Sequence, residues 1–135
     1  MKIKIDCTEQ LGLKKMQILK QALSSECTEI VCINLFSSFP LADHPSIMKL
    51  LESKMRIGGV LIFEDFDLRT ISRRFYRDEI SVSFANSAIF GEHANLKSIV
   101  DMDSIEENLN INYTVLEKSY LGDQGRFTLK ARREQ

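Results

Sequence analysis

Apolar and polar positions along this chain follow two periods. Residues 2–6 alternate as Lys2-Ile3-Lys4-Ile5-Asp6, the two-residue period of a strand buried on one face. The lysines also guard against unwanted pairing, so an edge position is expected for this strand. From about residue 9 to 24 the spacing becomes helical. Met16, Leu19 and Leu23 share a face, Ile18 and Ala22 lie alongside, and Thr8 is the candidate N-cap. Ile30 to Phe36 is apolar without alternation, which predicts a central parallel strand buried on both faces; Ser37-Ser38-Phe39-Pro40 breaks it. A second helix is expected between Asp43, as its cap, and Gly58, as its terminator. Pro45 is tolerated in its first turn, and Ile47, Met48, Leu50, Leu51 and Met55 form its core stripe. Residues 59–63 then predict a third strand, again apolar throughout.

After Asp67 the pattern weakens. Leu68, Ile71 and Phe75 fit a short helix with Arg69, Arg73, Arg74 and Arg77 on its other faces, and residues 80–100 show no dominant period. Asp103 to Leu109 reads as a capped short helix. Tyr113 to Tyr120 and Arg126 to Arg133 read as strands. The loop Leu121-Gly122-Asp123-Gln124-Gly125 between them predicts an antiparallel hairpin. The order β-α-β-α-β-α-(α)-β-β specifies one α/β domain over residues 1–135. The expected architecture is a small Rossmann-like three-layer sandwich, its mostly parallel sheet closed by the C-terminal antiparallel hairpin.

Composition narrows the function classes. At 44% hydrophobic and 27% charged residues the chain has an ordinary globular balance, and its formal net charge of −1 argues against a general nucleic-acid or membrane-surface binder. No apolar run reaches the length of a membrane span, and the N-terminus lacks a signal-peptide core. Cys7, Cys27 and Cys32 are odd in number and lack metal-ligand spacing, so reduced thiols in a cytoplasmic protein are expected, with no metal. Walker, G-x-S-x-G and G-x-G-x-x-G motifs are absent.

The candidate chemistry lies at strand ends. Glu64, Asp65 and Asp67 follow the third strand, where doubly wound sheets open a ligand crevice; solvated acids at a strand end are the plainer alternative. Asp6, Asn34 and Ser37 lie near the ends of the first two strands and would face the same crevice, with helix capping as the other role for Asp6. Arg73, Arg74 and Arg77, beside Tyr76, suit an anion such as phosphate, or form a solvated helix face offset by Asp67, Asp78 and Glu79. His44 and His93 are read as lone surface histidines, and no catalytic residue is assigned.

Several segments in order resemble the carboxyl-terminal half of class I S-adenosylmethionine-dependent methyltransferases. Leu51-Glu52-Ser53-Lys54-Met55-Arg56-Ile57-Gly58-Gly59-Val60-Leu61-Ile62 is similar to the family's "rvLkpGGvLii" segment. Ser104 to Leu109 before Tyr113-Thr114-Val115-Leu116-Glu117 is similar to its "s-eel-ll" helix and following strand, and Phe127 to Arg132 to its last strand. The resemblance covers roughly residues 28–133. It implies a final strand inserted between the third and fourth, and S-adenosylmethionine as cofactor, with Asp6 holding the ribose hydroxyls and Asn34 and Ser37 beside it. The family's Gly-rich loop, E/D-x-G-x-G-x-G, has no counterpart here. The resemblance also implies a shortened sheet of about three parallel strands plus the hairpin. Such a sheet has an exposed edge and an uncovered apolar flank, so a homo-oligomer or a protein partner is expected. The expectation is a diverged methyltransferase-like subunit or interaction module, or alternatively an active methyltransferase whose cofactor site is abbreviated or completed by a partner.

Overall fold

The computed structural model describes residues 1–8, 11–90, 97–109, 112–121 and 125–135, with 11–13 and 87–90 by backbone only. Strands β1 (Lys2–Asp6), β2 (Cys27–Ile33) and β3 (Met55–Phe66) alternate with helices α1 (Leu11–Gln21) and α2 (His44–Lys54). Helices α3 (Leu68–Tyr76), α4 (Val82–Phe90) and α5 (Met102–Glu107) follow, then strands β4 (Tyr113–Tyr120) and β5 (Arg126–Arg133). The sheet order is β1-β2-β3-β5-β4. β1 lies at an edge and β5 inserts between β3 and β4, both as expected.

Several boundaries move. α1 ends at Gln21, so Leu23 lies beyond it and is 75% exposed instead of joining Met16 and Leu19 in the core. β2 ends at Ile33, three residues short of the expected end. Asn34 then turns the chain at φ +54, and Phe36–Ser38 forms a 3-10 turn that buries Phe36 against His44 and Phe63. Asp43 stands at the N-cap position of α2 without a side-chain cap bond, because a 3-10 turn over Leu41–Asp43 already leads into the helix. Gly58 does not end that helix. α2 stops at Lys54 and β3 begins at once, with Met55 paired to Cys27 and Val60 to Glu29. The extra residues of β3 bulge outward, and Gly58, at φ +86, supplies the left-handed turn. Gly59 lies against the Met55 sulfur and 2.8 Å, measured from an added Cβ, from the Arg56 carbonyl oxygen. α5 is capped by Asp101 in a capping box with Ser104, not by Asp103.

The largest difference is in layering. β1-β2 and β2-β3 are parallel, while β3-β5 and β5-β4 are antiparallel, so the sheet is mixed. Two right-handed crossovers that step the same way along a sheet put α1 and α2 on one face. On that face Ile5, Ile30, Cys32, Leu61, Phe63, Leu129 and Ala131 are buried and join Leu19, Leu51, Ile71, Met102 and Ile105 in one core. On the other face Glu29, Val31, Ile33, Val60, Ile62, Glu64, Thr128 and Lys130 are all half-buried and Arg132 is exposed. Among the described residues the fold is therefore a two-layer α/β structure with an open sheet face, not a three-layer sandwich. No described helix is long and apolar enough to cross a membrane.

Candidate functional site

The carboxyl ends of β1, β2 and β3 meet at one edge of the sheet, and five of the six crevice candidates gather there. Register sets this: Asp6 pairs with Ile33, and Ile33 with Glu64. Asn34 follows directly, and its backbone N–H donates to the Glu64 carbonyl at 2.9 Å. Asparagine tolerates the left-handed turn it adopts, since its short polar side chain bonds locally. Its carbonyl accepts from the Ser38 hydroxyl at 2.6 Å and from Ser37 Oγ at 3.4 Å.

Arg126, which sequence reasoning missed, crosses this edge. β5 runs antiparallel to β3, so its first residue lies beside Phe66. The guanidinium donates from Nη2 to Asn34 Oδ1 at 2.7 Å and pairs through Nε with Glu64 at 3.5 Å. One cation thus ties the ends of β2 and β3 together. The Glu64 pair is partly exposed and adds little by itself; the bond to the buried Asn34 is the stronger constraint.

Asp65 alternates to the covered face and is only 2% exposed. Burial pushes its carboxyl up to about 6, against hydrogen bonds from Ser37 and the Phe66 N–H and the nearby Arg126 charge. It accepts from the Ser37 N–H at 3.2 Å and the Phe66 N–H at 2.9 Å. Ser37 is buried with it. Asp6 is half-buried, and its Oδ1 accepts from the Thr8 N–H at 3.0 Å and from the Thr8 hydroxyl. These two bonds close a local turn of Asp6 onto Thr8.

Asp67 does not join the crevice. It is buried as the N-cap of α3, with Oδ2 accepting from Thr70 N–H at 3.1 Å and Oδ1 from Met102 N–H at 2.9 Å. This carboxylate fastens α3 to the start of α5, which is structural work. Arg73 on α3 and Arg77 at its C-cap are exposed, while Arg74 pairs with Glu79 at 3.5 Å, so the basic helix is a solvent-facing surface with internal pairing. His44 is not a surface residue. It is 2% exposed, and its Nε2 lies 2.7 Å from the Phe36 carbonyl, which requires Nε2 to be the donor. Ser98 also reaches that carbonyl, at 3.0 Å. His93 lies outside the described residues.

All three cysteines are buried, and burial raises each thiol, Cys7 to about 11. They are packing residues, not nucleophiles. Among the described residues no three or more His, Cys, Asp or Glu converge as a metal site. A groove of about 590 Å³ lies between α1 and α2, lined by Met16, Lys20, Phe39, Ile47 and Leu50 among others, and touches none of the crevice residues.

No protein-family model and no curated protein matches the chain. Solved structures do. A putative type 11 methyltransferase from Sulfolobus solfataricus is 12% identical with a TM-score of 0.62, over 100% of this chain and 84% of that one. A SAM-dependent methyltransferase from Archaeoglobus fulgidus is 8% identical with a TM-score of 0.60, over 98% and 85%. The N-methyltransferase NodS from Bradyrhizobium japonicum WM9 is 12% identical with a TM-score of 0.59, over 99% and 85%. At these identities the likeness is one of fold, and the fold of this chain is methyltransferase-like.

Proposed function

We propose that this chain is a diverged methyltransferase-fold protein that acts as a subunit or interaction module and does not bind S-adenosylmethionine. The observation carrying this reading is the closed carboxyl edge. Asp6, which the resemblance assigns to the ribose, already takes two bonds from Thr8. Arg126 occupies Asn34 and Glu64. The chain also holds no counterpart of the family's E/D-x-G-x-G-x-G loop, whose glycines permit close backbone approach to a ligand. On this reading the residues at the edge do not fit the cofactor.

The alternative is an active methyltransferase whose cofactor site is abbreviated or completed by a partner. It draws support from Asp6, whose two bonds from Thr8 both end on Oδ1, so that Oδ2 remains for a hydroxyl. Thermal unfolding with and without 1 mM S-adenosylhomocysteine separates the module reading from a working abbreviated site. A ligand at roughly 100 times its Kd stabilises by about 2.7 kcal/mol, a shift of several degrees for a domain of this size. The module reading expects no shift, and a shift of that size would overturn it.

A further inference from the structure

The open sheet face carries a regular array of side chains. Cross-strand register places them in three rows. The first row is Lys2, Glu29, Val60, Arg132 and Thr114. The second is Lys4, Val31, Ile62, Lys130 and Glu117. The third is Asp6, Ile33, Glu64, Thr128 and Ser119. The apolar centre is thus Val31, Ile33, Val60 and Ile62, and every charge lies around it.

We propose that this face is an interface with a second copy of this chain, packed sheet against sheet about a two-fold axis along β3. The inference rests on the interaction-module reading and gives that module its partner. Stacked sheets align their strands within about 30°. An axis along β3 then brings β1 over β4 and β2 over β5 of the second copy. Lys4 meets Glu117 of the second copy, and Glu29 meets its Arg132. Ile33 meets Thr128, Val31 meets the aliphatic stem of Lys130, and Val60 and Ile62 each meet themselves on the axis. Each complementary pair occurs twice, as an isologous interface requires. Glu64 also meets itself, but Arg126 already pairs with it at 3.5 Å. A two-fold axis across the strands would instead set Lys4 against Lys4 and Lys130 against Lys130.

Area is consistent with a reversible dimer. Five strands about 4.8 Å apart and three rows about 6.8 Å apart give roughly 490 Å² per copy, about 1,000 Å² in all. That stands at the lower limit for a specific interface, so association in the micromolar range is expected.

Sedimentation velocity from about 10 µM to 1 mM tests this. The parent protein should show a concentration-dependent dimer. Ile62→Asp places two like charges on the axis and should raise the dissociation constant at least tenfold with an unchanged circular dichroism spectrum, since Ile62 is not in the buried core. Lys4→Glu and Glu117→Lys should each weaken the dimer, and the double variant should restore it. A monomer at 1 mM, a dimer indifferent to Ile62→Asp, or a double variant no better than the singles would overturn the proposal. Any of these leaves the cofactor question untouched, because a thermal shift with S-adenosylhomocysteine reports on that separately.

Discussion

Replacing Asp65 with asparagine should convert a pH-dependent domain edge into a nearly pH-independent one. Burial raises this carboxyl from 3.8 to about 6 in the folded chain. Between those values the folded state holds a proton that the unfolded state has lost, so stability falls as pH rises through the window. Below about 3.8 both states are protonated and the group contributes nothing. Above about 6 the buried carboxylate costs the fold about 3 kcal/mol. Most of that, about 2 kcal/mol, develops between pH 4.0 and 7.5. An asparagine oxygen can still accept from the Ser37 or Phe66 N–H. Urea denaturation of both proteins at the two pH values isolates the effect, because other titrating groups cancel in the difference. The variant should gain about 2 kcal/mol over the parent between pH 4.0 and 7.5. A difference constant to within about 0.5 kcal/mol would refute the account of Asp65 as a desolvated, underpaired acid.

Two further perturbations probe the frame around the site. Asp67→Ala removes the α3 cap and strands the buried Met102 N–H; a loss of about 3 kcal/mol is expected by urea denaturation, and a loss below about 1 kcal/mol would contradict the fastening role. The adjacent glycines should separate. Gly58→Ala meets open space but keeps φ +86, costing about 1 kcal/mol, whereas Gly59→Ala drives a Cβ against the Arg56 carbonyl and should cost more. Equal losses in thermal melts would show that the β3 bulge relaxes freely.

Much of the fold was legible in the sequence because its signals were periodic or local. The Lys-Ile alternation placed β1 at an edge, and the Tyr113 to Tyr120 and Arg126 to Arg133 hairpin was bounded to the residue. Layering was not legible. Val31, Ile33, Val60 and Ile62 are apolar, so the runs in β2 and β3 read as buried on both faces, whereas one face is open. Apolarity does not reveal whether a sheet face is covered by a helix, by a partner or by nothing. The signal was topological: strands that step β1-β2-β3 in one direction carry both crossover helices on one side. Arg126 was missed because it lies 92 residues from Asn34 in sequence. The expected insertion of the last strand beside β3 would have placed its first residue at the carboxyl edge. His44 looked like a surface residue for the opposite reason: its partners, Phe36 and Ser98, come together only through a 3-10 turn and a distant loop. Asp67 shows the limit of reading acids in a row. Glu64, Asp65 and Asp67 are near neighbours in sequence, yet one is half-exposed on the open face, one is buried on the covered face, and one caps a helix.

Isothermal titration calorimetry with S-adenosylmethionine and S-adenosylhomocysteine, carried into the millimolar range, asks whether the closed carboxyl edge excludes the cofactor. No binding heat is expected from either ligand. Micromolar binding that Asp6→Ala weakens would contradict it and establish the crevice as a working cofactor site.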